Sequence, residues 1–314
     1  MSERIKTIFV VAPTASGKTS LSIELAKKFN GEIISADSMQ IYKGIHIASA
    51  APDEDEKCGI KHHLIEFLET DVQFSVADYV KLARKLIIEI AERGKTPIVV
   101  GGTGLYINAL LDNTEFIESE TDLKLRAELE DLFDEIGGEA MLKKLAVFDS
   151  ESAARLHPNN RRRIIRAFEV YKSTGKTITE QNINSHHKDF GIEPLVLGIT
   201  FENRELLYNR INKRVDIMLE KGLLEEAKLS FDNNDKKGAF QAIGHKELYG
   251  YFSGEISLED ATELLKQQTR RYAKRQLTWF RRDERINWIY PDICSSFVEN
   301  AFESAEKFLK EEKA

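Results

Sequence analysis

Cysteine is nearly absent. The 314 residues contain two, Cys58 and Cys294. Two thiols this far apart form neither a disulfide framework nor a zinc-ligand spacing. Long apolar runs are missing as well. The longest mostly apolar stretches, such as residues 5–12 and 97–100, are of strand length, and none approaches the roughly 20 residues of a membrane span. The opening MSERIKT lacks the apolar segment of a signal peptide, so a cytoplasmic protein is expected. His62 and His63 are adjacent, without a carboxylate or cysteine at metal-ligand spacing, and no metal site is expected there. An overall positive charge is also lacking: 45 basic residues face 52 acidic ones, for a net charge of −7. That excludes a uniformly basic nucleic-acid binder but not a local patch. Residues 155–166 carry five arginines and no acid, and residues 266–285 carry eight basic and two acidic side chains.

What is present alternates in type. Residues 6–12, 32–36, 96–100 and 195–200 are β-branched, apolar segments of strand length. Amphipathic helical patterns follow at 18–29, 75–93 and 105–111. Ser75 with Asp78 three residues on reads as a capping box. Alternating strands and helices predict a parallel α/β sheet. Strand signals vanish between about residues 115 and 194, a charged helical stretch holding the arginine cluster. With the APTASGKT phosphate-loop signature at residues 12–19 between the first strand and helix, the fold class is a P-loop NTPase-like parallel sheet flanked by helices, with an all-α insertion. The core is 1–114 and 195–314; the insertion is 115–194. Helices are expected at 204–220, 223–230, 243–252 and 258–280, and a last strand at 286–290.

Residues 12–19 read APTASGKT between a strand and a helix, the context of a phosphate-binding loop. Its backbone amides, the positive end of the following helix and the Lys18 ammonium all suit a di- or triphosphate. Thr19 offers a hydroxyl for Mg²⁺. The usual first glycine is Ala12. A second cluster, Asp37-Ser38-Met39-Gln40, follows the second strand. Asp37 there could bind magnesium or accept a proton. A third, Gly101-Gly102-Thr103-Gly104, ends the third strand with no acid, which weakens an ATP-hydrolysis reading.

The motifs PTASGKT, DSMQIY, GGTGLYI, HPNNRRRIIRAFEVY, RINKRVDIML and TRRYAKRQLTWFR, in this order, closely resemble the tRNA dimethylallyltransferase family over most of the chain. The resemblance implies transfer of a dimethylallyl group from dimethylallyl diphosphate to N6 of the adenosine 3′-adjacent to the anticodon. It implies that Ala12, Pro13, Thr14, Ala15, Ser16, Gly17, Lys18 and Thr19 hold the diphosphate. Asp37 would be the general base, with Ser38, Met39 and Gln40 lining the nucleotide pocket and Thr103 beside it. Contacts to the tRNA anticodon stem-loop would come from Arg126, from Arg162, Arg163, Ile164, Ile165 and Arg166, and from Gln241, Gly244, His245 and Lys246. His245 replaces the family's usual tyrosine and Asn160 a common aspartate. Magnesium is implied as cofactor. Arg210 and Arg214, four apart on one helix, share a face and are assigned to the diphosphate, Arg214 first. A monomer is expected. Competing classes are a P-loop kinase, an adenylate prenyltransferase acting on free nucleotide, and a non-catalytic RNA-binding protein.

Overall fold

The computed structural model describes residues 4–114, 122–180, 190–233, 239 and 242–311. Its backbone divides into two compact units, residues 1–110 with 191–314, and residues 111–190.

In the first unit the elements run β1 (Ile5–Val11), α1 (Lys18–Lys28), β2 (Gly31–Ser35), β3 (His62–His63), α2 (Val76–Glu92), β4 (Thr96–Gly101) and α3 (Gly104–Leu111). The second unit holds α4 (Leu123–Leu145), α5 (Ser150–Arg155) and α6 (Arg161–Thr174). The chain then rejoins the first unit with β5 (Ile192–Ile199), α7 (Arg204–Glu220), α8 (Leu223–Asp232), α9 (Leu258–Phe280), β6 (Ile286–Ile289) and α10 (Phe297–Lys310). None of the described helices is long and apolar enough to cross a membrane.

The six strands pair in parallel in the order β3-β2-β4-β1-β5-β6. Parallel pairing needs a crossover between strands, and the helices supply it. Ile8, Phe9, Val10 and Val11 are completely buried, as a central strand covered on both faces requires. Ile8 and Val10 pack with Leu21 and Leu25 of α1 and with Ala301 and Ala305 of α10. The capping box at Ser75 and Asp78 is formed and opens α2.

Two strands depart from the sequence reading. β5 begins at Ile192, not 195, because β1 pairs with it from Ile5↔Ile192 onward, through Thr7↔Pro194. Pro194 is tolerated inside this strand because β6 joins only from Val196, so no donor is needed on that side. β3 carried no sequence signal, being two histidines long. His63 Nε2 lies 2.7 Å from Glu32 Oε2, and Arg93 and Lys95 bond the same carboxylate. Burial would raise the Glu32 pKa, but these three hydrogen bonds outweigh it and bring it to about 2. His63 therefore serves an ion-pair cluster at the amino end of the sheet.

The second unit has its own core of Leu129, Met141, Leu145, Ile164, Ile165 and Phe168. Asp122 caps α4 by accepting from the Lys124 and Leu125 amides, each at 3.0 Å. The helix is interrupted at Gly137, φ +76°. The next residue, Gly138, lies so close to the Pro158 carbonyl that a Cβ would sit 2.0 Å from that oxygen. Only glycine permits that approach. Phe148 stacks on Tyr171 with ring centroids 4.1 Å apart.

Candidate active site

The loops that follow β1, β2 and β4 leave the carboxyl edge of the sheet, where open α/β folds bind ligands. After β1 the chain turns through Ala12, which is buried and takes no positive φ; alanine therefore replaces glycine there without strain. Strain is placed three residues later instead. Ala15 has φ +61°, at a cost of about 1–2 kcal/mol for a side chain in the left-handed region. Gly17 caps α1 at φ +97°. Arg210, on α7, donates from Nε to the Ala15 carbonyl at 2.8 Å. Arg210 thus holds the phosphate loop from outside.

Lys18 opens α1. Burial, then the Arg214 guanidinium, lowers its pKa to about 8, against an opposing pull from Asp37. Burial likewise lowers the Arg214 pKa, opposed by Asp37 and Glu56 and reinforced by Arg210. Two cations crowded together out of water form a site for an anion with more than one charge.

Asp37 follows β2. Its Oδ1 accepts from the Met39 amide at 2.9 Å, which fixes the turn. Thr103, after β4, accepts from the Ser38 amide at 3.0 Å and donates to the Ser38 hydroxyl at 3.3 Å. Tyr272, on α9, is largely buried near Asp37 and Thr103, and burial pushes its phenol up from the ordinary value. Gln40 lines the smaller cavity described below, and its amide is held there: it accepts from Ser35 Oγ at 2.8 Å and donates to the Ala50 carbonyl at 3.1 Å. It ties the strand end to the wall around residues 46–50.

These groups meet around two cavities. One, of about 240 Å³, is lined by Lys18, Thr19, Asp37 and Arg214 together with Met39, Met218, Leu265 and Tyr272. The other, of about 570 Å³, also takes Lys18, Thr19 and Arg214 as lining and adds Arg210, Lys213 and Lys221. Of the cations, Lys18 and Arg214 line both cavities. An anion at Lys18 and Arg214 would therefore border both spaces, with Asp37 on the side of the smaller one.

The expected tRNA contacts divide. Arg162, Arg163 and Arg166 are exposed on α6, whereas Ile164 and Ile165 point into the core of the second unit. The side chains of Ile164 and Ile165, expected as contacts, are therefore corrected to core residues, because apolar side chains at that helical phase are buried. Arg126 lies 3.4 Å from Glu130 and 3.8 Å from Glu169. His245 is fully buried, its Nε2 2.9 Å from Glu226 Oε1. Glu226 in turn accepts from the Ile47 and Ala48 amides. His245 thus supports the cavity wall, a position where its side chain reaches no RNA. Gly244 is buried too, its amide donating to Glu247. Lys246 is exposed, and Gln241 lies outside the described residues. Tyr106 stacks on Tyr79 at 4.1 Å and belongs to the core.

Sequence reading missed one wall. Leu265, Thr269, Tyr272 and Gln276 line the smaller cavity and recur at spacings of four, three and four. That is one helical face, and it was available in the sequence. Among the described residues no group of three His, Cys, Asp or Glu side chains could hold a metal. The oxygen donors at the phosphate loop, Thr19 and the nearby Asp37, suit a hard cation that also takes phosphate oxygens and water.

Comparison with known proteins gives a consistent result. The family model described as IPP transferase matches residues 40–283. A tRNA dimethylallyltransferase from Acetivibrio thermocellus is 50% identical over 305 residues, 96% of this chain and 95% of the relative. One from Bacillus subtilis is 48% identical, over 90% and 89%. Among solved structures, the full-length tRNA isopentenylpyrophosphate transferase from Bacillus halodurans aligns with a TM-score of 0.69 at 41% identity, covering 97% of this chain and 98% of its own. A eukaryotic dimethylallyltransferase, seen in crystallographic snapshots acting on tRNA, aligns with a TM-score of 0.83 at 32% identity, covering 99% and 82%.

Proposed function

Because the chain belongs to the IPP transferase family, we infer that it is a tRNA dimethylallyltransferase. It transfers a dimethylallyl group from dimethylallyl diphosphate to N6 of the adenosine 3′-adjacent to the anticodon. The observation that carries this reading is the smaller cavity, where one carboxylate, one phosphate loop and an apolar wall share a single space.

The bond from C1 of the donor to the diphosphate oxygen breaks, and a bond from adenine N6 to C1 forms. An allylic carbon tolerates positive charge, so the barrier falls chiefly by stabilising the leaving diphosphate. Lys18, Arg214 and the amides of the phosphate loop carry that task. The N6 lone pair is delocalised into the ring and is a weak nucleophile. Asp37 takes the N6 proton as the new bond forms, a contribution of about 10²–10⁴-fold for a positioned general base. Met39, Met218 and Leu265 suit the apolar allyl group and keep water from it. Magnesium would bind at Thr19 with diphosphate oxygens and would supply further charge neutralisation. The target adenine leaves its stack to enter, which is cheaper in an anticodon loop than in a duplex. Arg162, Arg163, Arg166 and Arg126 suit phosphate contacts of the stem. A tRNA substrate agrees with the cytoplasmic location expected above.

The test is transfer of labelled dimethylallyl from its diphosphate, offering unmodified tRNA against free AMP. Label in tRNA alone supports this reading. Label in AMP would make the protein an adenylate prenyltransferase.

A further inference from the structure

Gln276 sits on α9 and is 5% exposed. Its Oε1 accepts from the Thr14 amide at 3.0 Å. Its Nε2 donates to the Gly102 carbonyl at 2.9 Å. Thr14 belongs to the loop that delivers Lys18 and Thr19. Gly102 precedes Thr103, which fixes Ser38 next to Asp37. One side chain thus spans the donor loop and the acceptor loop.

The glycines of the GGTG motif fit this arrangement. A Cβ on Gly102 would lie 2.1 Å from Gln276 Nε2, and one on Gly104 would lie 2.2 Å from the Trp279 ring. A Cβ on Gly101 would meet the Ala36 carbonyl at 2.1 Å. The motif is glycine-rich because α9 and the β2 loop press directly on its backbone. Tyr272, one turn before Gln276, lines the smaller cavity on the same helical face.

Spanning both loops requires an acceptor and a donor on one planar group at glutamine length. Asparagine is one methylene too short. Glutamate has no proton to give Gly102 while ionised. We propose that Gln276 is a positioning residue that sets the distance between the diphosphate loop and the Asp37–Thr103 loop during transfer. The proposal rests on the function inferred above. A displacement of about 1 Å between reacting groups costs roughly 10²-fold in rate, so turnover should depend on this bracket although Gln276 takes no part in the chemistry.

The test compares Gln276→Glu with the wild type in steady-state transfer to tRNA, from about pH 6 to 8. The expected result at the alkaline end is a kcat loss of about 10²-fold, with KM for tRNA unchanged. Burial raises a carboxyl pKa, so at the acid end the variant regains a proton that can be donated to Gly102. The variant-to-wild-type ratio should therefore recover as pH falls. A folded variant with wild-type kcat, or a loss that is the same at every pH, would overturn the proposal. If the glutamate variant does not fold, Gln276→Asn decides: a large kcat loss supports the bracket and wild-type kcat overturns it. Absence of transfer by the wild type would instead remove the functional reading itself.

Discussion

Arg210 donates its Nε hydrogen to the carbonyl of Ala15, the residue of the phosphate loop held at positive φ. Arg214, one turn on, lines both cavities beside Lys18. Two arginines on one helix face are thus placed differently: Arg210 is tied to the loop carbonyl, and Arg214 is placed to face a bound diphosphate. Arg210→Met should loosen the loop and raise KM for dimethylallyl diphosphate about tenfold, with a smaller change in kcat. Arg214→Met should lower kcat more than it raises KM, because a leaving diphosphate needs that charge most in the transition state. Steady-state kinetics on both variants separate the roles; identical profiles would contradict the division.

Asp37→Asn keeps the shape of the turn and removes the base. The expected loss in kcat is about 10²–10⁴-fold, with tRNA affinity nearly unchanged by filter binding. Retained turnover would remove Asp37 from proton transfer.

The lowered pKa of Lys18, about 8, should make binding of a diphosphate donor pH-dependent. A diphosphate favours the protonated ammonium and raises this pKa in the complex. The free enzyme loses the proton first as pH rises, so donor affinity should fall above about pH 8. Below that value Lys18 is charged in both states and affinity should be flat. Folding carries the opposite sign. A lysine whose pKa is lower folded than unfolded penalises the native state below about pH 8, and the penalty fades between there and the ordinary lysine value of 10.5. Donor KM against pH for wild type and Lys18→Met checks this.

On α6, Arg162, Arg163 and Arg166 are exposed, whereas Arg161 bonds Asp134 and the Glu130 carbonyl. Neutralising Arg163 and Arg166 should weaken tRNA binding and flatten its salt dependence, by about 0.7–0.9 in log–log slope for each phosphate that is no longer neutralised. Arg161→Ala should lower thermal stability and leave that slope unchanged.

Much of this was legible from sequence because it rests on local rules. The phosphate loop announces itself by a strand, glycine, lysine and threonine in order. α7 and α9 run over the residues that their periodicity marks, 204–220 and 258–280. What local rules do not carry is which partner a polar side chain finds. His245 lies in a motif and looks like a ligand contact, but it is buried with Nε2 on Glu226, and Gln40, which lines the smaller cavity, has its amide held by Ser35 and Ala50. Ile164 and Ile165 sit among arginines and are read as part of a charged surface, yet apolar side chains at that helical phase fill the core. Gln276 was hidden for the opposite reason. Its two partners are 262 and 174 residues away in sequence, and only the sheet brings them together.

In the proposed reaction the phosphate loop grips a departing diphosphate in the same cavity where Asp37 accepts a proton from an adenine amine. A single-turnover experiment counting diphosphate released against prenylated adenosine formed in tRNA tests it most directly, with ATP supplied in a parallel reaction. The account requires one diphosphate for each modified adenosine and no phosphate released from ATP. Transfer or hydrolysis of the terminal phosphoryl of ATP, with no alkylation of tRNA, would contradict it.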